Sequence, residues 1–285
     1  MSGKLSEVED RIGTVHKLSA VIAAMRGLAA SRLQDAHDHL GAIRLYAETI
    51  GDAIGHALTF PLSARPVETP PREAGEVLIV LCAEQGFAGA FSARVLEAAR
   101  AVEAASPRPH EMLLVGDRGL LVAEEMGLTV DWTAPMIAHP ARTPHLAGRI
   151  VAAVFERISD GRATGISILH AVPGGAGGYE ITTKRLVPFD YSRFPLPRTA
   201  VQPRITLDPA QLLSQLVEEY IFAEISEALM LSFAAENEAR MRAMIAAHEN
   251  VSNSLTSLVG QARRLRQDAI TEEIVELATG SLARR

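Results

Sequence analysis

Residues 210–285 read AQLLSQLVEEYIFAEISEALMLSFAAENEARMRAMIAAHENVSNSLTSLVGQARRLRQDAITEEIVELATGSLARR, with no proline and only two glycines. Apolar or small residues recur along this stretch at alternating steps of four and three, which predicts one long helix carrying a coiled-coil seam. At 1.5 Å per residue the helix would be roughly 110 Å long. The predicted seam is Leu216, Tyr220, Ala223, Glu227, Met230, Ala234, Asn237, Met241, Met244, His248, Val251, Leu255, Leu258, Ala262, Leu265 and Ala269.

The other end of the chain repeats the pattern. Residues 1–60 also lack proline, and their apolar residues run from Leu5 to Ile54 with the same alternation of steps. A helix with an exposed apolar stripe needs a partner in water. The simplest partner is the other terminal helix, and because one helix leads into the middle of the chain and the other leads out of it, we expect them to pair antiparallel.

The middle of the chain alternates short apolar, β-branched runs with helical patterns after a proline-rich segment at 61–71. This order predicts a Rossmann-like α/β domain with a mostly parallel sheet. The predicted organisation is therefore an N-terminal coiled-coil helix at 1–60, a central α/β domain at 72–195 and a C-terminal coiled-coil helix at 207–285. Predicted strands lie at 76–82, 112–115, 127–132, 165–172 and 179–187, and predicted helices at 92–105, 118–126 and 144–159.

Two residues have the character of helix N-caps. Ser92 precedes the first helix of the central domain, and Asp208 precedes Pro209 at the start of the long C-terminal helix. Serine and aspartate accept hydrogen bonds from the free amides of the first turn, and proline suits the first helical position.

Composition excludes several classes of protein. The net charge of −6 over 285 residues argues against nonspecific nucleic-acid binding. The single cysteine, Cys82, allows no intramolecular disulfide and lies in an apolar run, which indicates a buried small side chain. No apolar run approaches the roughly 20 residues of a membrane span, and the N-terminus lacks a signal-peptide pattern.

A glycine-containing loop at 86–89 (GFAG) lies between a predicted strand and a predicted helix. Phosphates often bind at such a position, but neither a dinucleotide fingerprint nor a P-loop is present. The loop is either an anion site or a tight turn that allows close helix packing. We predict no cofactor, no metal site and no catalytic constellation.

Two basic clusters lie on the C-terminal helix. Arg240 and Arg242 form one, and Arg263, Arg264 and Arg266 form the other. Such clusters are either ordinary solubilising charge or a docking surface for an acidic partner, because arginine offers a planar head with several donors.

Four segments resemble the gamma subunit of F-type ATP synthases. They are RIGTVHKLSAVIAAMRGLAASRL at 11–33, EQGFAGAFS at 84–92, AENEARMRAM at 235–244 and RLRQDAITEEIVELATGSLA at 264–283. The last is long and specific, and Arg266, Gln267, Thr271 and Gly280 are among the residues that match in register. The departures are Arg32 where the family has lysine and Ala262-Arg263 where it has Tyr-Asn, which is typical of a divergent bacterial member.

The resemblance implies a non-catalytic rotor shaft that couples ion flow through the membrane c ring to ATP synthesis or hydrolysis on a ring of alpha and beta subunits. The implied partners are the alpha, beta and epsilon subunits and the c ring, with one copy of the chain per motor. The complex would be proton- or sodium-translocating, and the chain would lie peripherally at the cytoplasmic face of the bacterial inner membrane. By the same resemblance, Arg266, Gln267, Thr271 and Met25 would contact the beta subunit, with Met25 near the level of the other three.

Two other interpretations remain open. An α/β enzyme could bind a small molecule at the glycine-containing loop 86–89 and dimerise through its two terminal helices. A coiled-coil scaffold or adaptor could pair its arms between chains. Pairing of the two arms within one chain favours the shaft over both.

Overall fold

The computed structural model describes residues 2–61, 75–174, 178–196 and 204–282, which form two compact units. Residues Met1–Ala29 and Met241–Arg285 make the first unit, and Ala30–Arg240 make the second. Two long helices, α1 (Ser2–Ala57) and α5 (Pro209–Leu282), contribute to both units. The linker predicted at 61–71 lies, except for Pro61, outside the described residues.

The second unit contains a five-stranded sheet in the order β3-β2-β1-β4-β5. β1 is parallel to both β2 and β4, β2 is parallel to β3, and only β5 is antiparallel, paired with β4. The predicted mostly parallel α/β fold is confirmed. The elements are β1 (Gly75–Leu81), α2 (Phe91–Ala105), β2 (His110–Val115), α3 (Asp117–Glu125), β3 (Trp132–Ala134), α4 (Thr143–Ser159), β4 (Ala163–Pro173) and β5 (Tyr179–Val187).

Two local predictions in this unit are wrong. Ser92 does not cap α2, because its Oγ accepts a hydrogen bond from the amide of Ala83 in the preceding loop at 3.2 Å, and the helix begins one residue earlier at Phe91. The third strand lies later than 127–132. The side chain of Asp131 accepts from the amide of Met112 at 2.7 Å, so regular pairing with β2 begins at Trp132.

The predicted start of α5 is confirmed. Asp208 Oδ2 accepts from the amides of Ala210 and Gln211 at 3.0 and 3.4 Å, and Pro209 is the first helical residue. The carboxylate satisfies amides that have no partner inside the helix and also interacts favourably with the helix dipole.

Within the second unit, α5 is buried on nearly all sides between residues 220 and 240. One side of this segment packs with Leu40 of α1, and Ile225 and Phe233 join the core that covers one face of the sheet. The two helices run antiparallel here, because Arg44 pairs with Glu227 at 2.7 Å while Tyr46, further along α1, bonds to Glu219, earlier on α5. Such all-round burial explains why this stretch is apolar beyond a simple seam.

The first unit is a two-stranded antiparallel helical pair. Its buried apolar residues are Val8, Ile22 and Ala29 of α1 and Met244 and Ala262 of α5. The seam prediction is wrong at His248, which is exposed. A solvated imidazole at this position has no energetic conflict with the neighbouring apolar contacts, since charged and polar groups are costly only when buried.

His170 of β4 predicts a pH dependence for the stability of the second unit. The side chain is 4 % exposed, and burial, with a further contribution from the charge of Lys184, lowers its pKa from 6.5 to about 4, although Glu224 and Glu227 act in the opposite direction. Between these two values the unfolded chain binds more protons than the folded chain, so stability is lost as the pH falls through this range. The difference corresponds to roughly 3 kcal/mol.

We therefore expect the free energy of unfolding in urea to fall between pH 6.5 and pH 4, and the fall to be smaller by roughly 3 kcal/mol in a His170→Leu variant. The exposed His37 of α1 provides the matched control. Equal pH profiles for His170→Leu and His37→Leu would contradict this role of His170.

Candidate partner-binding sites

The Gly86 loop, residues 82–90, joins the end of β1 to α2 and is the first candidate site. Glu84 Oε2 accepts from the amides of Asp117 at 3.2 Å and Met136 at 2.7 Å. Phe87 and Gly89 have positive φ angles of 65° and 60°. The loop is therefore a tight turn, and it exposes Phe87, whose side chain is 67 % accessible.

The Gly86 loop is held from the other side by α5. Arg240 donates from Nη2 to the carbonyl of Gln85 at 3.2 Å and from Nε to the carbonyl of Gly86 at 3.3 Å. The same guanidinium donates to Asn237 Oδ1 at 3.0 Å and to the carboxylate of Glu236. Arg240, Glu236 and Asn237 are 4 %, 3 % and 0 % exposed. Both interpretations of Arg240 as a surface charge are therefore wrong.

Glu236 decides between the two interpretations of the Gly86 loop. Its carboxylate accepts hydrogen bonds from the backbone of Glu84 and Gln85, and burial raises its pKa although Arg240 and these amides act in the opposite direction. A carboxylate of the chain thus takes the amide donors that an anion would need. The structure favours the tight turn with close helix packing.

Sequence reasoning missed this network. The signal was present as an acid and a base four residues apart, Glu236 and Arg240, directly after the small and apolar helical stretch 228–235 (ALMLSFAA). An i, i+4 pair on an exposed helix looks the same in sequence, and only the loop that packs over the pair makes it buried.

The second candidate site is the surface of the helical pair in the first unit. Arg266 Nη2 donates to Glu9 Oε1 of α1 at 2.6 Å, and the two side chains are 62 % and 48 % exposed. Gln267 is exposed, and its carbonyl accepts from the hydroxyl of Thr271, also exposed, at 2.9 Å. Arg266, Gln267 and Thr271 therefore lie together on accessible turns of α5.

Met25 does not join this group. The residue of α1 that faces Arg266 is Glu9, and Met25 follows Glu9 by sixteen residues. At 1.5 Å per residue the two lie about 24 Å apart along α1. The predicted level of Met25 is therefore wrong. Its side chain is half-buried, and its contact with the beta subunit stays a prediction.

Apolar side chains are also exposed close to Arg266. Ile270, Ile274 and Val275 are 52 %, 60 % and 55 % accessible. Adjacent exposed apolar and arginine side chains are a composition typical of protein interfaces. No described helix is long and apolar enough to cross a membrane, and the described residues contain no cluster of three or more acidic, histidine or cysteine side chains that could hold a metal ion.

Similarity to known proteins extends over nearly the whole chain. A family model described as ATP synthase matches residues 4–283. An ATP synthase gamma chain from Frankia casuarinae is 27 % identical, covering 99 % of this chain and 98 % of that protein. Another from Roseiflexus sp. strain RS-1 is 28 % identical, with 97 % of both covered.

Solved structures share the fold at lower identity. The rotor of the Euglena gracilis mitochondrial ATP synthase matches with a TM-score of 0.64 and 13 % identity, over 95 % of this chain and 100 % of that one. The central stalk and c ring of the Tetrahymena thermophila mitochondrial ATP synthase contain a chain that matches with a TM-score of 0.55 and 16 % identity, over 80 % of this chain and 99 % of that one. The resemblance seen in the four sequence segments is confirmed, and the chain belongs to the family of ATP synthase gamma chains.

Proposed function

We propose that this chain is the central stalk of an F-type ATP synthase and couples ion flow through a membrane c ring to ATP synthesis or hydrolysis on a ring of alpha and beta subunits. The antiparallel pairing of α1 with α5 inside one chain carries this proposal. A two-stranded coiled coil is stiffer than one helix, and a shaft must resist twisting. The chain would supply no active site of its own.

The partners and location follow from the same proposal. Residues 1–60 and 207–285 would form the shaft, and the α/β domain at 72–195 would form the part that binds the epsilon subunit and the c ring. The complex would be proton- or sodium-translocating and would lie at the cytoplasmic face of a bacterial inner membrane. The Gly86 loop, which Arg240 holds in place, would be a fixed part of the surface of this domain.

Co-purification tests the proposal. The tagged chain, expressed with the alpha and beta subunits of its own organism, should yield a complex with one copy of this chain. Cysteines placed at Glu9 and Arg266 should be joined within a single chain by a short bismaleimide cross-linker, because the two native side chains meet at their ends and Cys82 is buried. Cross-linked dimers without alpha or beta subunits would support a scaffold instead.

Arg266 is the residue we expect to contact the beta subunit, with Gln267 and Thr271 beside it. Because a charge-assisted hydrogen bond contributes about 1.5–3 kcal/mol, Arg266→Ala should lower coupled ATPase activity of the reconstituted complex about tenfold or more. The pair with Glu9 is exposed, so the free energy of unfolding should change by less than about 1 kcal/mol.

Two variants separate the partner contact from the ion pair inside the chain. Glu9→Gln breaks the ion pair but keeps the guanidinium, and Arg263→Ala removes an exposed arginine one turn away. Both should keep near-normal activity. An activity loss in Glu9→Gln as large as that in Arg266→Ala would assign the effect to the helical pair and exclude direct contact with beta.

A further inference from the structure

In the second unit, α5 crosses the sheet at the place where folds of this kind bind their ligands. The chain runs from β1 outward to β2 and β3 and then returns with β4 to the other side of β1, so the strand order reverses at β1. Ligands of open α/β sheets bind in the crevice at the carboxyl end of the strands at this point. Ser232 of α5 donates to the carbonyl of Leu81, the last residue of β1, at 3.3 Å. The helix therefore covers the crevice.

Glu236 of α5 lies one turn after Ser232 and has the surroundings of a bound anion. Its carboxylate accepts hydrogen bonds from the backbone of Glu84 and Gln85 and from the guanidinium of Arg240. The residue is 3 % exposed, so these donors replace water around the charge. Successive backbone amides and an arginine are donors that proteins present to anionic ligands.

The arginine donor is held in place by bonds that do not involve Glu236. Arg240 donates to Asn237 Oδ1 at 3.0 Å and to two carbonyls of the Gly86 loop at 3.2 and 3.3 Å. Asn237 in turn donates from its side-chain nitrogen to the carbonyl of Phe233 at 2.8 Å, which orients its oxygen. Donors that are already fixed need little ordering when a ligand binds.

We propose that these donors form a carboxylate-binding site that the chain fills with its own Glu236, and that a free small carboxylate binds there when this side chain is shortened. Glu236→Ala removes the γ and δ carbons and both oxygens, which are the heavy atoms of acetate. Acetate in the vacated space restores the hydrogen bonds and the negative charge beside Arg240. The occupant of the site joins α5 to the Gly86 loop and so fastens the long helix to the end of β1.

Thermal unfolding of the full-length Glu236→Ala chain at pH 7 tests the ligand class. We expect sodium acetate to raise the melting temperature saturably above its value in sodium chloride of equal ionic strength, by mass action. Acetamide has a similar shape without the charge and binds at least about tenfold more weakly, because charge-assisted hydrogen bonds are the stronger ones. Trimethylacetate has the charge but exceeds the vacated space and gives no rise above chloride. A melting temperature, or for a variant unfolded in chloride a refolded fraction, that is no higher in acetate than in chloride overturns the proposal.

Control chains separate binding at the site from a general effect of the salt. In the wild-type chain Glu236 fills the site, and Glu218→Ala removes an exposed glutamate from the same helix. The difference between acetate and chloride should be equal in these two chains and larger in Glu236→Ala. Glu236→Ala combined with Arg240→Ala lacks the cation and should lose the additional rise. An acetate effect as large in the wild-type chain as in Glu236→Ala overturns the site, and an additional rise that persists in the double variant overturns the set of donors.

The thiol of Cys82 shows whether acetate binds in the crevice. Burial and, after it, the charge of Glu236 raise the pKa of this thiol, because the carboxylate lies close to it. Iodoacetamide should label Cys82 faster in Glu236→Ala than in the wild-type chain, and acetate should slow the labelling at the concentrations that raise the melting temperature. Labelling that acetate leaves unchanged places the acetate elsewhere and overturns the location. Each measurement uses the isolated chain, so its result does not depend on the stalk function.

Discussion

Replacing Arg240 with alanine should lower the free energy of unfolding by about 3–5 kcal/mol, because removal of one partner from a buried ion pair leaves the other charge uncompensated. Arg240 is 4 % exposed and contacts Glu236, which is 3 % exposed. The variant also leaves the carbonyls of Gln85 and Gly86 without their donor. Urea unfolding followed by circular dichroism measures the loss, and Arg118→Ala, at an exposed position of α3, is the control.

The pH dependence of this variant identifies the cause. Burial already raises the pKa of Glu236 in the wild-type chain, and Arg240 is the largest of the influences that lower it. Without Arg240 the folded-state pKa rises further above the unfolded value, so the Arg240→Ala chain gains stability relative to the wild-type chain as the pH falls towards 5. Glu236→Gln combined with Arg240→Ala should recover part of the loss at pH 7. A deficit that is the same at pH 5 and pH 7 would contradict this explanation.

The fold was predictable because its signals are long or chemically specific. The seam of the C-terminal helix repeats over many turns, and Asp208-Pro209 marks its start with a cap that the structure contains. The continuous apolar run of β1 is buried from Val77 to Leu81 because neighbouring strands and covering helices enclose it. Signals of this kind depend on local periodicity and backbone chemistry, which the sequence records directly.

The residues whose roles were predicted wrongly depend instead on contacts with distant segments of the chain. Ser92 is used by a loop amide, Arg240 is covered by the Gly86 loop, and the position that faces Arg266 is set by the register of the two helices. Each outcome depends on which distant segment lies alongside, and a helical pattern on one strand of a coiled coil does not fix its register against the other.

Gly119 of α3 is the second position where one substitution should lower stability strongly. A Cβ atom built there would lie 2.1 Å from Cys82 Cβ and 2.8 Å from Cys82 Sγ. Both distances are far below van der Waals contact, and the site is buried, so the chain can relieve the overlap only by moving α3 or the end of β1. Gly119→Ala should therefore lower the free energy of unfolding by about 3 kcal/mol, although alanine favours a helix over glycine by up to about 1 kcal/mol.

Gly148 of α4 provides the matched control for Gly119→Ala. A Cβ atom there has no neighbour within 4 Å, so Gly148→Ala keeps the propensity gain without a clash and should raise stability by up to about 1 kcal/mol. The two glycine-to-alanine changes are thus expected to have opposite signs. A stabilising Gly119→Ala would show that α3 and β1 are not packed as closely as the structure has them.

The thiol of Cys82 reports on the same packing. Burial raises its pKa well above the ordinary value, and its side chain is 1 % exposed, so the native thiol should be inert to alkylation at pH 8. It is the only cysteine in the chain, and labelling by iodoacetamide is therefore unambiguous. Gly119→Ala forces α3 away from Cys82 and should accelerate labelling, whereas Gly148→Ala should not. Cys82→Gly removes the two Cys82 atoms that the new methyl group would overlap, so the clash is present only when both side chains are. The double variant should therefore lose less free energy of unfolding than the sum of the losses in the two single variants.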